Sequence, residues 1–460
     1  MTSSTKSDSF PPQIRYIVGN EACERFSFYG MRSILTVFMV SHLLIAKNEA
    51  TATYHLFVSA CYLTPLLGAW ISDRYWGKYK TIMTLSLLYC LGHGVLALWE
   101  GKEALYWGLG LIALGSGGIK PCVSTFVGDQ FTEKNKHLIG RIYDIFYFAI
   151  NFGSFFSTLL TPWVLVAYGP GWAFGIPGIL MAVATVVFWL GHRKYVNVPP
   201  TGKTGEAGFL PILWAALTGK SRKDGDFFSA ALSRYSAKEV EGARAAKDVF
   251  KVFATITVFW ALFDQHGSSW VLQAQQMDLN VLGIQFHASQ ISALNPIMVM
   301  ILIPIFAKWI YPGIKRLLGF EMTPLRRIAT GMVVAATSFV GAAMIQHAID
   351  AGGRPSVAWQ FIPYLLITIA EIMISITGLE FAYTQAPRSM KSTIMSFFFL
   401  TIFAGNLLTA YVSEINTFQG AVFYWFFAAL MAAVSGVFIW TASHYKVREY
   451  IEDGSAPVGA

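Results

Sequence analysis

The run GWAFGIPGILMAVATVVFWL, residues 171–190, contains twenty consecutive residues without an Asp, Glu, Lys or Arg. A helix of about 20 apolar residues is long enough to cross the hydrocarbon core of a bilayer, which is about 30 Å thick. Comparable apolar stretches recur along nearly the whole chain. The sequence therefore predicts an all-α polytopic membrane protein and not a large soluble helical protein.

The composition supports a membrane protein. The 460 residues are 55% hydrophobic and 13% charged, against about 25% charged in typical soluble domains. The net charge of +8 would suggest nucleic acid in a soluble protein. Here the basic residues concentrate in alternate loops, so we expect lipid around the chain, no nucleic acid and no obligate protein partner. The first apolar helix carries charges and lacks a small-residue cleavage site, which predicts a retained span and not a cleaved signal peptide.

Twelve spans are predicted, in two sets of six separated by a polar stretch. Residues 1–195 are predicted to form an N-terminal six-helix bundle, 196–247 a cytoplasmic linker with room for an amphipathic helix, and 248–460 a C-terminal six-helix bundle with a short tail. Two such halves suggest repeats about a central cavity. The predicted spans are 13–44, 50–73, 79–99, 103–128, 138–166, 171–195, 246–271, 286–313, 322–348, 357–386, 389–415 and 419–445.

Loop charge predicts the orientation, because cytoplasmic loops of membrane proteins are enriched in Lys and Arg. The opposite loops offer little beyond Lys47, Lys102 and Arg354. We therefore expect both termini in the cytoplasm and, for so compact a chain, a bacterial inner membrane. The loops on the basic side carry Arg74, Lys78, Lys80, Lys134, Lys136, Arg141, Lys308, Lys315, Arg316, Arg326, Arg327, Arg388 and Lys391, and the tail adds Lys446 and Arg448.

Charged residues inside the first and fourth spans indicate a working site. Glu21, Glu24 and Arg25 share one face of the first span at helical spacing, and Arg32 returns to that face two turns later. Each buried charge costs roughly 2.5–3.5 kcal/mol on insertion scales, so these side chains need partners or a watery cavity. Lys120 is a lone ammonium in the glycine-rich run GSGGIKPC of the fourth span, residues 115–122.

With three more acids in the second half, the acidic residues inside the predicted spans outnumber the bases that could neutralise them. Asp264, Glu371 and Glu380 join Glu21 and Glu24, against only Arg25, Arg32 and Lys120. A desolvated carboxyl without a partner favours its protonated form. Exchange of ion-pair partners as protons bind and leave is a mechanism for proton coupling. Glu380 is the weakest of these candidates, because it falls near the cytoplasmic end of its span.

Four motifs in order resemble a known family over nearly the whole chain. The loop GAWISDRYWGK, residues 68–78, resembles the conserved loop of the major facilitator superfamily, where it braces two helices of the N-terminal half. Together the motifs resemble the proton-dependent oligopeptide transporter family within that superfamily, which implies the major facilitator fold. The four motifs that carry the resemblance to this family are ExxER with FYG (residues 21–30), GGIKP (117–121), FWALFDQ (259–265) and GLEFAYTQAP (378–387). The last of them particularly resembles the animal members.

The resemblance implies a symporter that imports di- and tripeptides with protons, and it implies residue roles. Arg25 and Lys120 would take the peptide carboxylate and Glu371 the ammonium. Asn151 and Asn295 would hydrogen-bond the peptide backbone, and Tyr29, Tyr62 and Trp260 would shape side-chain pockets, although aromatic residues at such positions can equally be packing residues. Coupling would involve Glu21, Glu24, Arg25, Lys120 and His55, with protons as the coupling ion and no metal or other cofactor.

The resemblance also implies a gate, in which Arg32 and Asp264 form an extracellular salt bridge that breaks on protonation. His55 matches a proton-binding histidine of the animal members, while a single His on an apolar helix is otherwise more often structural. The chain lacks the two extra spans of many bacterial members and the large extracellular domain of animal ones. Cys23, Cys61, Cys90 and Cys122 lack metal-ligand spacing and are interpreted as packing residues.

Three other functions stay open at this stage. A relative in the same superfamily could carry nitrate, an amino acid or a drug-like compound, although nitrate would not need Glu371. An intramembrane enzyme is disfavoured, because the chain has no His-Glu-x-x-His zinc motif and Ser116 has no evident His partner. A passive channel is disfavoured by two matched halves with buried charges of both signs.

Overall fold

The computed structural model describes residues 9–132, 134–200, 208–219, 226–385 and 390–446. Arg388 and Arg448, which contributed to the predicted orientation, lie outside these ranges, as do parts of the linker. The described chain is almost entirely helical, with one short hairpin of Asn280–Val281 (β1) paired antiparallel to Ile284–Gln285 (β2). The long apolar stretches do not alternate regularly with polar residues, and such stretches favour helices over half-buried strands.

The long helices fall into two halves joined by the linker. The first half comprises α1 Ile14–Val37, α2 Lys47–Ile71, α3 Lys78–Leu98, α4 Lys102–Asp129, α5 Ile139–Tyr168 and α6 Pro170–Leu190. The linker contains α7 Phe209–Thr218. The second half comprises α8 Ala237–Phe263, α9 Ser269–Ala274, α10 Leu294–Ile305, α11 Tyr311–Leu318, α12 Pro324–Asp350, α13 Phe361–Glu371, α14 Thr377–Thr384, α15 Lys391–Ile415 and α16 Ala421–Ser443.

Ten helical stretches of the described residues are long and apolar enough to cross a bilayer. Three of them are composites in which a π-helical turn continues the helix: Lys47–Trp76 contains α2, Ala288–Leu318 contains α10 and α11, and Val357–Ala382 contains α13 and most of α14. α1 and α8 have the necessary length but carry more charged residues, Glu21 to Arg32 in α1 and the first turns of α8. With them, the described residues contain twelve candidate spans in two halves, the number that the major facilitator fold requires.

The linker region differs from the sequence prediction in two respects. α8 begins at Ala237 and not at residue 246, because Ser236 and Glu239 form a capping box that starts the helix before the chain reaches the apolar segment. α7 is apolar on both faces and not amphipathic: Ile212 is buried, whereas Leu210 and Trp214 are exposed. Hydrophobicity all round a helix removes the polar face that an amphipathic helix requires.

Close helix contacts hold the first half together. A Cβ on Gly68 of α2 would lie 2.3 Å from the Cα of Gly118 in α4, so the two backbones touch where any side chain would collide. At the basic end, Lys78 Nζ donates to Asp129 Oδ2 at 2.6 Å and ties the start of α3 to the end of α4. These contacts make α2, α3 and α4 one packed unit.

Candidate functional site

The charged face of α1 forms an ion-pair cluster inside the first half. Arg25 Nε lies 3.0 Å from Glu21 Oε1, one helical turn away, and is also in contact with the carboxylate of Glu24. Glu24 is fully buried, and neither of its oxygens accepts a well-aligned hydrogen bond among the described residues. The cluster therefore places an incompletely satisfied carboxylate beside an arginine that it shares with a second acid.

Lys120 of α4 lies close to this cluster. Its Nζ is 4.4 Å from the centre of the Phe28 ring and 4.8 Å from that of Tyr62, and Arg25 Cζ is 6.0 Å from the same Phe28 ring. Such cation–π contacts stabilise an ammonium without neutralising it. Among the described residues Lys120 makes no ion pair, so its charge is available to an anion. We call Glu21, Glu24, Arg25 and Lys120 the N-half cluster.

The second half supplies a carboxylate of its own. Asn295 Nδ2 donates to Glu371 Oε2 at 2.8 Å and lies 3.2 Å from Thr368 Oγ1. Glu371 ends α13, where the helix continues as a π turn, Ile372–Ile376, a local geometry that is frequent at functional sites. No ion pair joins Glu371 to Arg25 or Lys120 among the described residues. Asn295, Thr368 and Glu371 form the C-half cluster, in which the carboxylate accepts a hydrogen bond from one neutral donor, Asn295.

The remaining predicted substrate contacts are positioned by aromatic packing and helix geometry. Tyr62 packs against Phe399 of the other half, with ring centres 6.4 Å apart. The indole N–H of Trp260 is buried and has no acceptor among the described residues, so it is a free donor. Asn151 donates its side-chain N–H to Tyr147 O in its own helix at 2.9 Å. Tyr29 is half-buried on α1, next to Phe28.

The predicted pair of Arg32 and Asp264 is present and joins the two halves. An Arg32 guanidinium nitrogen contacts Asp264 Oδ1, and Arg32 Nε donates to Tyr54 Oη at 2.6 Å. Both charged side chains are buried, with 8% and 3% of their residue surface exposed. A buried pair of this kind is costly to break from one side, because the remaining charge would be left without a partner. The gating role itself stays a prediction.

His55 extends the same contact through two neutral side chains. Asn406 Nδ2 donates to Asp264 Oδ2 at 2.7 Å and to Ile402 O at 3.0 Å, so its Oδ1 is left to accept from His55 Nδ1–H at 2.8 Å. The other ring nitrogen, Nε2, lies 2.8 Å from Ser268 Oγ, which can donate to it or accept from it. His55, fully buried, therefore carries a proton on Nδ1 in this arrangement.

Further hydrogen bonds cross between the halves near these residues. Thr36 Oγ1 donates to Gly267 O at 3.0 Å, and Ser59 Oγ donates to Phe403 O at 3.0 Å. The contacts hold the two halves together at the end of the molecule opposite the basic loops, which we call the gate end. We call the set that surrounds the ion pair the gate cluster: Arg32, Tyr54, His55, Asp264, Ser268 and Asn406.

The sequence prediction missed three members of the gate cluster. Asn406 is a lone amide in the apolar run of α15, and that isolation is a signal that could have found it. Ser268 lies just beyond the FWALFDQ motif, and Tyr54 precedes His55, but neither stands out as a residue type. Glu380, the weakest intramembrane acid, is half-exposed at the basic end, where its carboxylate lies 3.8 Å from Arg327.

Two helical halves, each with buried charged side chains, fit the fold of the major facilitator superfamily. The sequence profile of the POT family matches residues 79–426, which is most of the chain. The chain therefore belongs to the POT family. It is 37% identical to peptide transporter 3 of Caenorhabditis elegans over 363 residues and 38% identical to solute carrier family 15 member 2 of Rattus norvegicus over 393 residues.

Solved structures agree with this family. A structure described as an auto-inhibited POT family peptide transporter aligns with a TM-score of 0.89 at 39% identity, covering 95% of this chain and 98% of that one. The POT family transporter PepTSo aligns with the same score and coverage at 40% identity. The two curated relatives match 74% and 81% of this chain, which in turn spans about half of their length, 52% and 54%.

Proposed function

We propose that this protein is a proton-coupled symporter that imports di- and tripeptides by alternating access. One observation carries the proposal: among the described residues, neither Lys120 on the first half nor Glu371 on the second forms an ion pair, although both lie within the helices of the bundle. A peptide is a zwitterion, so its carboxylate fits Arg25 and Lys120 while its ammonium fits Glu371. Binding would then connect the halves, which couples occupancy to closure of the site.

Proton coupling follows from competition within the N-half cluster. While Glu21 and Glu24 are ionised, they hold Arg25 and oppose a peptide carboxylate. When a proton neutralises Glu24, Arg25 is released to bind the peptide. A proton and a peptide thus bind together, and loss of the proton inside the cell returns Arg25 to Glu24 and expels the peptide carboxylate. The coupling ion is the proton, and no cofactor is required.

The gate cluster would set which side the site faces. In the arrangement described, the Arg32–Asp264 pair holds the gate end closed. Protonation of Asp264 removes the negative charge that holds Arg32. A further proton on His55, at Nε2, acts in the same direction, because the cationic ring adds a positive charge near Arg32 and Asp264 and repels Arg32. Protons arriving from the gate side would therefore favour opening on that side.

The topology completes the proposal. The basic loops are proposed to face the cytoplasm, so both termini lie there and the gate end faces outward. The membrane is proposed to be a bacterial inner membrane. Within the chain, residues 1–195 and 248–460 are proposed to move as two bundles joined by the 196–247 linker.

Uptake of labelled dialanine by vesicles that contain the purified protein tests the function. An inward proton gradient should accelerate uptake, and dissipation of the gradient should remove the acceleration. Nitrate and single amino acids, added as competitors, separate peptide transport from the alternatives within the superfamily. Uptake that does not respond to the gradient would contradict the proposal, as would competition by nitrate and not by unlabelled dipeptides.

A further inference from the structure

A pocket at the gate end lies between the two halves, and none of its lining residues has a role in the proposed transport cycle. Its volume is about 420 Å³, within the range of roughly 300–1,000 Å³ that is typical of small-molecule sites. Lys47 and Thr51 of α2 form the wall from the first half. The ends of α9, α12 and α15 and the start of α16 form the rest. We call this space the gate-end pocket.

The pocket is built on the closed gate. Ser269 lines it and directly follows Ser268, the partner of His55. Ser269 Oγ donates to Gln265 Oε1 at 2.8 Å, and its carbonyl accepts from Tyr424 Oη at 2.9 Å. Because one wall belongs to each half, separation of the halves at the gate end would take the pocket apart.

The two walls carry opposite charges. Lys47 makes no ion pair among the described residues, and it stands at the first turn of α2. On the other wall, Asp350 Oδ1 accepts from Gln346 Nε2 at 2.9 Å and Oδ2 accepts from the Ala421 backbone N–H at 2.7 Å. Neutral donors orient this carboxylate without cancelling its charge, so each wall has a charge to offer to a ligand.

Buried polar groups behind the acidic wall give it a fixed shape. Gln360 Nε2 donates to Gln273 Oε1 at 3.0 Å, and Gln273 Nε2 donates to Gln346 Oε1 at 3.1 Å, so a chain of amides leads to Asp350. Ser413 also lines the pocket; only 4% of it is exposed, and its hydroxyl has no partner among the described residues. A buried hydroxyl without a partner costs free energy that a bound ligand can recover.

We propose that the gate-end pocket binds a small zwitterion, a free amino acid or a dipeptide, with its carboxylate at Lys47 and its ammonium at Asp350. Ser413 would supply a further hydrogen bond. A ligand that touches both walls binds only while the gate end is closed, so its occupancy favours that state. The site is thus a regulatory one, distinct from the central clusters. Its effect on transport rests on the proposed function, but the binding itself does not.

Chemical labelling can test the binding directly. Gln419 lines the pocket and is exposed, so a Gln419→Cys variant should react with a membrane-impermeant maleimide added outside intact cells, above the background of the native cysteines. The variant is combined with Lys120→Ala, which disables the proposed central site, or with Glu371→Ala where the first combination does not reach the membrane. Dialanine at about ten times its dissociation constant should slow labelling about tenfold.

Blocked ligands and matched variants decide the chemistry. N-acetyl-dialanine lacks the ammonium and dialaninamide lacks the carboxylate, so neither should protect. Lys47→Gln should abolish protection by dialanine, whereas Lys102→Gln, an extracellular lysine that pairs with Glu49 at 2.9 Å outside the pocket, should retain it. Equal protection by the blocked ligands, protection that survives Lys47→Gln, no protection up to the solubility limit, or no labelling from outside would each overturn the proposal.

The uptake assay of the native chain separates this proposal from the proposed function. Protection by dialanine in a chain without proton-driven uptake would keep the gate-end pocket and remove the transport proposal. Proton-driven uptake without protection by dialanine would keep the transport proposal and remove the gate-end pocket proposal.

Discussion

The gate cluster pairs its arginine with an acid across the two halves, whereas the N-half and C-half clusters, which together form the central clusters, make no such pair. At the gate, Arg32 and Asp264 are paired directly across the two halves, and His55, Ser268 and Asn406 complete their hydrogen bonds. At the centre, the cations remain on one half and Glu371 on the other, without an ion pair between them. From this difference we infer that a charge pair closed by the protein itself would act as a latch, whereas one left open would be available to a ligand.

The largest effect is expected where the central cations are removed. Lys120→Ala should lower proton-driven dialanine uptake by about 100-fold or more, because a buried carboxylate of the peptide would lose its partner, a loss that costs about 3–5 kcal/mol. Uptake into vesicles with an imposed pH gradient measures this. Lys102→Ala, an exposed lysine, is the control and should leave uptake unchanged.

Glu24→Gln separates coupling from binding at the same cluster. The neutral amide mimics the protonated acid, so Arg25 stays available to a peptide, but no proton can be carried. Proton-driven uptake should be lost while exchange of peptide down its own gradient survives. Loss of both activities in a correctly folded variant would argue against a coupling role for Glu24.

The C-half cluster should give a smaller, ligand-specific effect. Glu371→Ala removes a charged partner of the ammonium, an interaction that contributes about 1.5–3 kcal/mol, so dialanine uptake should fall about 10- to 100-fold. N-acetyl-dialanine, which has no ammonium, should lose much less. Glu380→Ala serves as the control, since this acid is half-exposed at the basic end. Equal losses for both peptides would contradict the assignment.

At the gate, loss of one amide should loosen the latch. Asn406→Leu removes the hydrogen bonds to Asp264 and His55, each worth about 0.5–1.5 kcal/mol or more, so the open state should gain about tenfold in population. Ser59 is buried at the seam between the halves, and labelling of Ser59→Cys by an impermeant maleimide reports the opening. Thr337→Val, whose hydroxyl bonds only within its own helix, should leave the labelling rate unchanged.

The smallest effect is expected from the packing of α2 against α4. This packing keeps the first half rigid, so that the gate cluster and the N-half cluster hold their positions. Gly68→Ala places a methyl group against the backbone of Gly118 and should lower the free energy of unfolding by about 1–3 kcal/mol. Gly110→Ala, at a helix position with open space around it, should be neutral or slightly stabilising. Thermal unfolding in detergent measures the stability of both variants. Equal melting temperatures would show that α2 and α4 move apart enough to accommodate the added methyl group.

The sequence predicted what depends on local pattern. The Glu21–Arg25 contact follows from i, i+4 spacing on one helix, and the Arg32–Asp264 pair followed from the family resemblance. That α8 begins before its predicted span was not foreseen, because hydropathy does not register a polar first turn with a good cap. Asn406 and the gate-end pocket were out of reach, because they depend on the register between helices that are distant in the chain.

The position of Arg32 in the chain has a consequence for how the protein is made. Its partner Asp264 lies 232 residues later. At a synthesis rate of about 5–20 residues per second, Arg32 enters the bilayer roughly 12–46 s before Asp264 exists. Glu21 and Arg25 neutralise each other within α1, whereas among the described residues made before Asp264, Tyr54 of α2 is the hydrogen-bond partner of Arg32. Asp264, directly after α8, then completes the pair, so the contact that joins the two halves in the finished molecule also ends the period in which Arg32 is a buried charge without a counter-ion.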